Sequence, residues 1–183
     1  MAGGHYLTVR RPPTAEDRYS DLFRSTYPLV LAFVRRRGVS DAEAVVAETF
    51  TIAWRRFDVV PRDPDVAKAW LFQTARHCMM NAARTERRRD ALGVRAAEAV
   101  VLPSVESDAV ARLDLSRAWN SLPPDAQEAL ALTYFDGLTS EQAGQVLGIS
   151  AVAYRARLSR ARRALDRLLP TSDHDDVNQG ALR

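Results

Sequence analysis

The sequence predicts an all-α protein: two small helical domains joined by a flexible linker. Three observations carry this. Apolar residues recur at three- and four-residue spacing along most of the 183 residues, and no stretch alternates as a half-buried strand would. Capping residues, prolines and glycines punctuate those stretches at the places where helices start and stop. Over residues 90–107 the periodicity lapses into small residues with Gly93 and Pro103, which separates a helical segment at 14–89 from one at 108–169. Residues 1–13 and 170–183 have no periodicity and are expected to be disordered.

The first helix starts at Thr14, a good N-cap, with Glu16 and Asp17 in its first turn. Leu22, Phe23, Val30, Phe33 and Val34 give it an apolar face, and Gly38 ends it. Pro28 falls inside and is expected to kink or break it. Ser40 and Glu43 read as a capping box for a second helix over 41–57. Val46, Phe50, Ala53 and Phe57 share one side of that helix, and Phe50, Trp54 and Phe57 are expected in the core. Asp41, Glu48, Thr51, Arg55 and Arg56 are left for solvent or a partner.

A proline-containing loop follows, and Asp63 with Pro64 opens a long helix to about residue 89. Leu71, Ala75, Cys78 and Ala82 form its buried stripe. Gln73, His77, Asn81, Arg84 and Arg88 run along another side. The arginines there suit a solvated helix end and, beside an amide and an imidazole, also suit phosphate. His77 has no acid or second histidine at ligand spacing, so no metal site is expected.

After the linker, Val110, Leu113, Leu115 and Trp119 mark a helix over 108–121, and a second follows the Pro123-Pro124 turn. Asp136-Gly137 breaks that helix and leads to Thr139, which forms a capping box with Gln142. The short helix that starts there stops at Gly148, and Ser150 caps a longer one. Tyr154, Leu158, Ala161, Leu165 and Leu168 form the apolar stripe of this last helix. Its other faces carry six arginines between Arg155 and Arg167 against one acid, Asp166. A short helix, a glycine turn and a longer basic helix are the sequence form of a DNA-binding helix-turn-helix. The groove-facing set would be Ser150, Val152, Arg155, Ala156, Ser159, Arg160 and Arg163. Tyr154 is expected to fill the space that Ala143 and Gly144 leave between the two helices.

Formal net charge is +3, and Lys68 is the single lysine among 26 basic residues. The arginines cluster, which makes a polyanion a plausible partner. Cys78 is the only cysteine, so an internal disulfide and a cysteine-rich metal site are excluded. No apolar run reaches membrane-spanning length, and a cytoplasmic protein without membrane insertion is the default expectation. No paired carboxylates, nucleophile-base pair or phosphate-cradling glycine loop points to catalysis, a cofactor or a small-molecule substrate.

Taken in order, several stretches resemble one family, the small two-domain extracytoplasmic-function sigma factors of bacterial RNA polymerase. They are Asp41-Ala42-Glu43 through Glu48-Thr49-Phe50 to Ala53-Trp54, Trp70-Leu71-Phe72 with Ala75-Arg76, and Leu122-Pro123-Pro124. Tyr134-Phe135-Asp136-Gly137-Leu138, Leu147-Gly148-Ile149-Ser150 and the run from Arg160 to Leu165 complete the set. The resemblance implies core RNA polymerase and promoter DNA as partners and leaves an anti-sigma factor open as a third. It implies that residues 14–89 are a sigma domain 2, with polymerase docking at Asp41, Glu48, Thr51 and Arg55. The −10 element would then be read and melted beside His77, Asn81, Arg84 and Arg88. Residues 108–169 would be a sigma domain 4 whose helix-turn-helix reads the −35 element. The chain departs from the family at Ala44 and Ala47, where an acid and a glutamine are common, and at Ala153 and Tyr154, where threonine then valine are common. Two other readings compete: a helix-turn-helix regulator that binds duplex DNA without polymerase, and a helical adaptor whose arginines are only surface charge.

Overall fold

The computed structural model describes residues 14–90 and 109–169, and all regular structure among them is helical. The linker, the N-terminal lead-in and the acidic tail at Asp173, Asp175 and Asp176 lie outside the described residues. Three helices precede the gap: α1 (Ala15–Arg35), α2 (Ala42–Arg55) and α3 (Pro64–Asp90). Four follow it: α4 (Ala109–Asn120), α5 (Pro124–Tyr134), α6 (Ser140–Leu147) and α7 (Ala151–Leu168).

The caps explain most of the boundaries. The Thr14 hydroxyl accepts from the Asp17 N–H while the Asp17 carboxylate accepts from the Thr14 N–H, a complete capping box. Donation from the Thr14 N–H and from the Thr14 hydroxyl holds the Asp17 carboxyl below the usual carboxylate range. At α2 the expected box at Ser40 does not form. Asp41 is the N-cap and accepts from the Ala44 N–H at 2.8 Å. The Ser40 hydroxyl turns to Glu86, and Glu43 pairs with Arg35 across the loop. At α3 one Asp63 oxygen accepts from both Asp65 and Val66, and Pro64 takes the first position as expected.

α1 runs unbroken through Pro28. Proline removes one helical hydrogen bond, and the carbonyl that loses it belongs to Arg24, an exposed position where water can replace the N–H. The remaining twenty residues keep the helix together through Val30, Phe33 and Val34, all fully buried.

α1, α2 and α3 pack into a three-helix unit whose core is Val46, Phe50, Ala53, Leu71, Phe72, Ala75 and Cys78 with the buried face of α1. Phe33 of α1 stacks on Phe72 of α3 with centroids 4.4 Å apart. Trp54 is an exception to the expected core: it is 47% exposed, against Tyr19 at the edge of an aromatic cluster that includes Phe23 and Phe57. Position 54 lies one residue past the buried side that Phe50 and Ala53 define, which turns its ring outward.

In the second unit α7 packs on α5 and α6, with α4 alongside. Trp119, Leu130, Leu132, Leu138, Val146, Tyr154 and Leu158 form its core. Leu113, Leu115 and Leu168, read as apolar-face residues, are exposed. The two units are in contact. α6 packs along α3, and a continuous apolar cluster runs through both units.

Candidate functional site

The helix-turn-helix forms where the capping residues place it. The Thr139 hydroxyl accepts from the Gln142 N–H and the Gln142 side chain accepts from the Thr139 N–H. Gly148 closes α6 in the left-handed region at φ 69°, a conformation that costs glycine nothing. Ser150 then caps α7 by accepting from the Ala153 N–H at 3.1 Å. Gly144 lets the two helices meet. A Cβ there would lie 2.8 Å from the Ile149 carbonyl oxygen, inside the turn itself.

Tyr154 is fully buried, as expected, but its hydroxyl reaches past the α6 gap to α5. It lies 2.7 Å from the Thr133 hydroxyl and donates to the Ala129 carbonyl at 2.8 Å. Burial pushes its phenol upward in pKa, and the hydrogen bond to Thr133 opposes that only in part. The space beside Gly144 is therefore used by the turn rather than by the tyrosine ring.

With Tyr154, Leu158 and Ala161 turned inward, α7 presents Val152, Arg155, Ala156, Ser159, Arg160 and Arg163 outward, and Ser150 at its start is exposed. Val152 is 68% exposed, an isolated aliphatic group at the first turn of the helix. Arg155 pairs with Glu141 of α6 at 3.2 Å. The Glu141 backbone N–H, the Thr139 hydroxyl and Arg155 hold the Glu141 carboxyl below its usual range. Arg163 folds back on Ser159, bonding both its carbonyl and its hydroxyl. Arg162 leans over the exposed ring of Tyr134, 5.4 Å from its centroid.

On the first unit, His77, Asn81, Arg84 and Arg88 are all exposed along one side of α3. A cleft of about 290 Å³ opens between α2 and α3, lined by Ile52, Arg56, Trp70, Gln73, His77 and Asn81 among others. Trp70, His77 and Asn81 thus come together, while Arg84 and Arg88 lie beyond the cleft toward the end of the helix. Sequence reasoning missed Arg56 as a cleft residue, because a helix-end arginine carries no signal of which neighbour it will face. Of the α2 positions, Glu48 and Arg55 are exposed and free to meet a partner. Asp41 is committed to the N-cap, and the Thr51 hydroxyl is exposed but bonds the Ala47 carbonyl. No group of three or more metal-ligating side chains occurs among the described residues.

This geometry can be set beside known proteins. Residues 22–89 match the Sigma-70 region 2 family and residues 112–165 match Sigma-70, region 4. RNA polymerase sigma factor NccH of Alcaligenes xylosoxydans xylosoxydans is 33% identical over 73% of this chain and 75% of its own length. ECF RNA polymerase sigma factor SigL of Mycobacterium tuberculosis is 30% identical over 69% of this chain and 73% of its own. The chain belongs to the extracytoplasmic-function RNA polymerase sigma factors. A probable sigma factor, RfaY of Xanthomonas campestris, is 32% identical over 72% of this chain, which spans only 35% of that longer relative. Among solved structures, the sigma factor is similar to RpoE of Bartonella quintana in complex with the anti-sigma factor NepR, at 27% identity and a TM-score of 0.65. That match covers 82% of this chain and 95% of the other.

Membership makes α1–α3 the region 2 domain and α4–α7 the region 4 domain. The helical reading and the helix-turn-helix assignment of the sequence both hold. What periodicity could not reveal is the side-chain cluster that ties the two domains together: Arg36 and Arg37 after α1, and Glu128 and Asp136 around α5.

Proposed function

We propose that this sigma factor docks on core RNA polymerase through the outer side of α2, holds one opened promoter element on α3, and reads a farther upstream duplex element with α7. The observation that supports it most strongly is the presence, in one chain, of region 2 and region 4 domains with an outward-facing basic recognition helix. Glu48 and Arg55 are the polymerase-facing groups, with Asp41 and Thr51 beside them. His77, Asn81, Arg84 and Arg88 serve the −10 element. Ser150, Val152, Arg155, Ala156, Ser159, Arg160 and Arg163 serve the −35 element. A relative solved with an anti-sigma factor supports a partner of that class as well.

The energetics fit stoichiometric work. Opening duplex DNA costs on the order of 1.4 kcal/mol per base-pair step. Polymerase binding and capture of unstacked bases must offset several such steps, and extruded bases are commonly held by stacking and edge hydrogen bonds in a pocket. The α2–α3 cleft offers an indole, an amide and an imidazole for that purpose. At the other domain, the first turn of α7 is Ala151, Val152 and Ala153, which offer a base edge only apolar contact.

Titration of fluorescently labelled protein with core polymerase tests the docking assignment. Glu48→Arg should weaken binding about tenfold, the equivalent of ~1.4 kcal/mol, while leaving the helical circular dichroism unchanged. Unaltered affinity would remove Glu48 from the interface. A duplex-binding regulator would show no core association at all.

A further inference from the structure

Arg155 is the arginine nearest the start of α7, and among the described residues it is the one arginine of that helix in an ion pair. Its Nη1 donates to Oε1 of Glu141 on α6 at 3.2 Å. The two side chains are 53% and 70% exposed. An ion pair this open to water contributes little to stability, so the fold does not need it. What it supplies is direction. Glu141 stands in the first turn of α6, where the free N–H groups of the helix start favour a carboxylate. Its own backbone N–H and the Thr139 hydroxyl also bond that carboxylate, so its position is fixed from its own helix. Behind Arg155 the backbone is pinned as well, because the neighbouring Tyr154 hydroxyl is bonded to Thr133 and to the Ala129 carbonyl of α5. The side chain of Arg155 is therefore located at its root by Tyr154 and at its head by Glu141. Arg163, by contrast, folds back on Ser159 of its own helix.

In a helix-turn-helix bound to duplex DNA, the second helix enters the major groove while the first crosses the phosphate backbone. A guanidinium carries five N–H donors in a planar fork. With Nη1 given to Glu141, the edge formed by Nε and Nη2 stays whole. Two parallel donors match two adjacent acceptors, and in the major groove only guanine presents such a pair, O6 and N7. We propose that Glu141 is a specificity-determining residue of this sigma factor: from the first helix of the motif it aims Arg155 of the second at a guanine edge in the upstream element. The proposal rests on the DNA-reading role given to α7. The carboxylate acts in two ways. It holds the guanidinium in one orientation before DNA arrives, so less freedom is lost on binding. It also repels phosphates that would otherwise draw the same guanidinium to the backbone. Both effects favour one base over contact anywhere along the duplex. Ala151, Val152 and Ala153 have no side-chain donors, so polar base reading at this end of α7 falls to the one aimed arginine.

Four versions of the whole chain test this: unaltered, Glu141→Ala, Arg155→Ala and the double variant. Each is put through binding selection on duplexes with a randomised upstream element, and titrated with a duplex of random sequence, at one fixed salt concentration. The unaltered chain should prefer guanine at one position by about tenfold or more. Glu141→Ala should cut that preference to about twofold or less. It should bind the random-sequence duplex at least as tightly, because a negative charge has left the interface. Arg155→Ala should lose the same guanine and bind the random-sequence duplex more weakly. The double variant should lose no more of the preference than Arg155→Ala does, since the acid acts only through the arginine. Urea unfolding of Glu141→Ala should match that of the unaltered chain, which separates aiming from folding. A Glu141→Ala protein that keeps the guanine preference, or that shifts every sequence by one common factor, would overturn the aiming role. So would a loss at a position that Arg155→Ala leaves alone, or losses that add in the double variant. If Arg155→Ala changes no base position, the base edge given to Arg155 falls and the role of Glu141 falls with it. No duplex binding by any of the four would overturn the DNA-reading role of α7 as well.

Discussion

Tyr154 shows how one residue can be legible in position and illegible in purpose. Helical spacing with Leu158 and Ala161 places it inside. Which neighbour its hydroxyl would find depended on where α5 lies, and no local pattern encodes that. Tyr154→Phe should cost about 1 kcal/mol in urea unfolding, the worth of a hydrogen bond whose partner Thr133 can re-pair locally. Gly144→Ala should cost more, about 1–3 kcal/mol, since its new Cβ would press on the Ile149 carbonyl. The buried phenol also sets a pH dependence. Its pKa is raised in the folded state, so above the ordinary tyrosine range, near pH 10, the unfolded chain loses its proton first. Stability is therefore fully present below that range and falls as pH rises through it. Tyrosinate absorbance should show Tyr154 titrating only as the fold is lost, and Tyr154→Phe should flatten the alkaline decline.

At the scale of elements, capping chemistry fixed the helix-turn-helix boundaries. Thr139, Gln142, Gly148 and Ser150 all act locally, so their roles could be read without tertiary information. The misreadings arose where tertiary structure decided. Asp41 rather than Ser40 caps α2, while Glu43 pairs with Arg35 and the Ser40 hydroxyl with Glu86. Trp54 was given to the core because aromatic residues are usually buried there, yet it lies one position past the buried side of α2 and meets Tyr19 of α1 with its ring still half exposed. The outward side of α7 carries its own prediction. Arginines beyond the first turn suit phosphates better than bases, so Arg163→Ala should weaken binding about equally across sequences and lower the salt slope by about 1. Arg155→Ala should relax one base position, since Arg155 alone near the start of α7 can offer donors to a base edge. Binding selections on randomised duplexes measure both. A steep preference at several adjacent positions that disappears with Arg163→Ala would show that α7 faces the groove differently.

On the scale of the whole molecule, two helical domains and their order were visible in the sequence, because helix periodicity and its lapse are local signals. Their docking was not. Asp136 read only as part of a helix break, and nothing in spacing joins it to Arg36 and Arg37, about a hundred residues away. The central claim is that this chain directs polymerase to promoters by reading two elements with two domains. Transcription from a supercoiled promoter library with purified core polymerase, followed by mapping of transcript 5′ ends, tests it most directly. The account predicts starts that core polymerase alone does not make, sharing a sharply defined element beside the start and a more graded one upstream, both weakened by Asn81→Ala and Arg155→Ala in turn. Starts identical to those of core polymerase alone would contradict it.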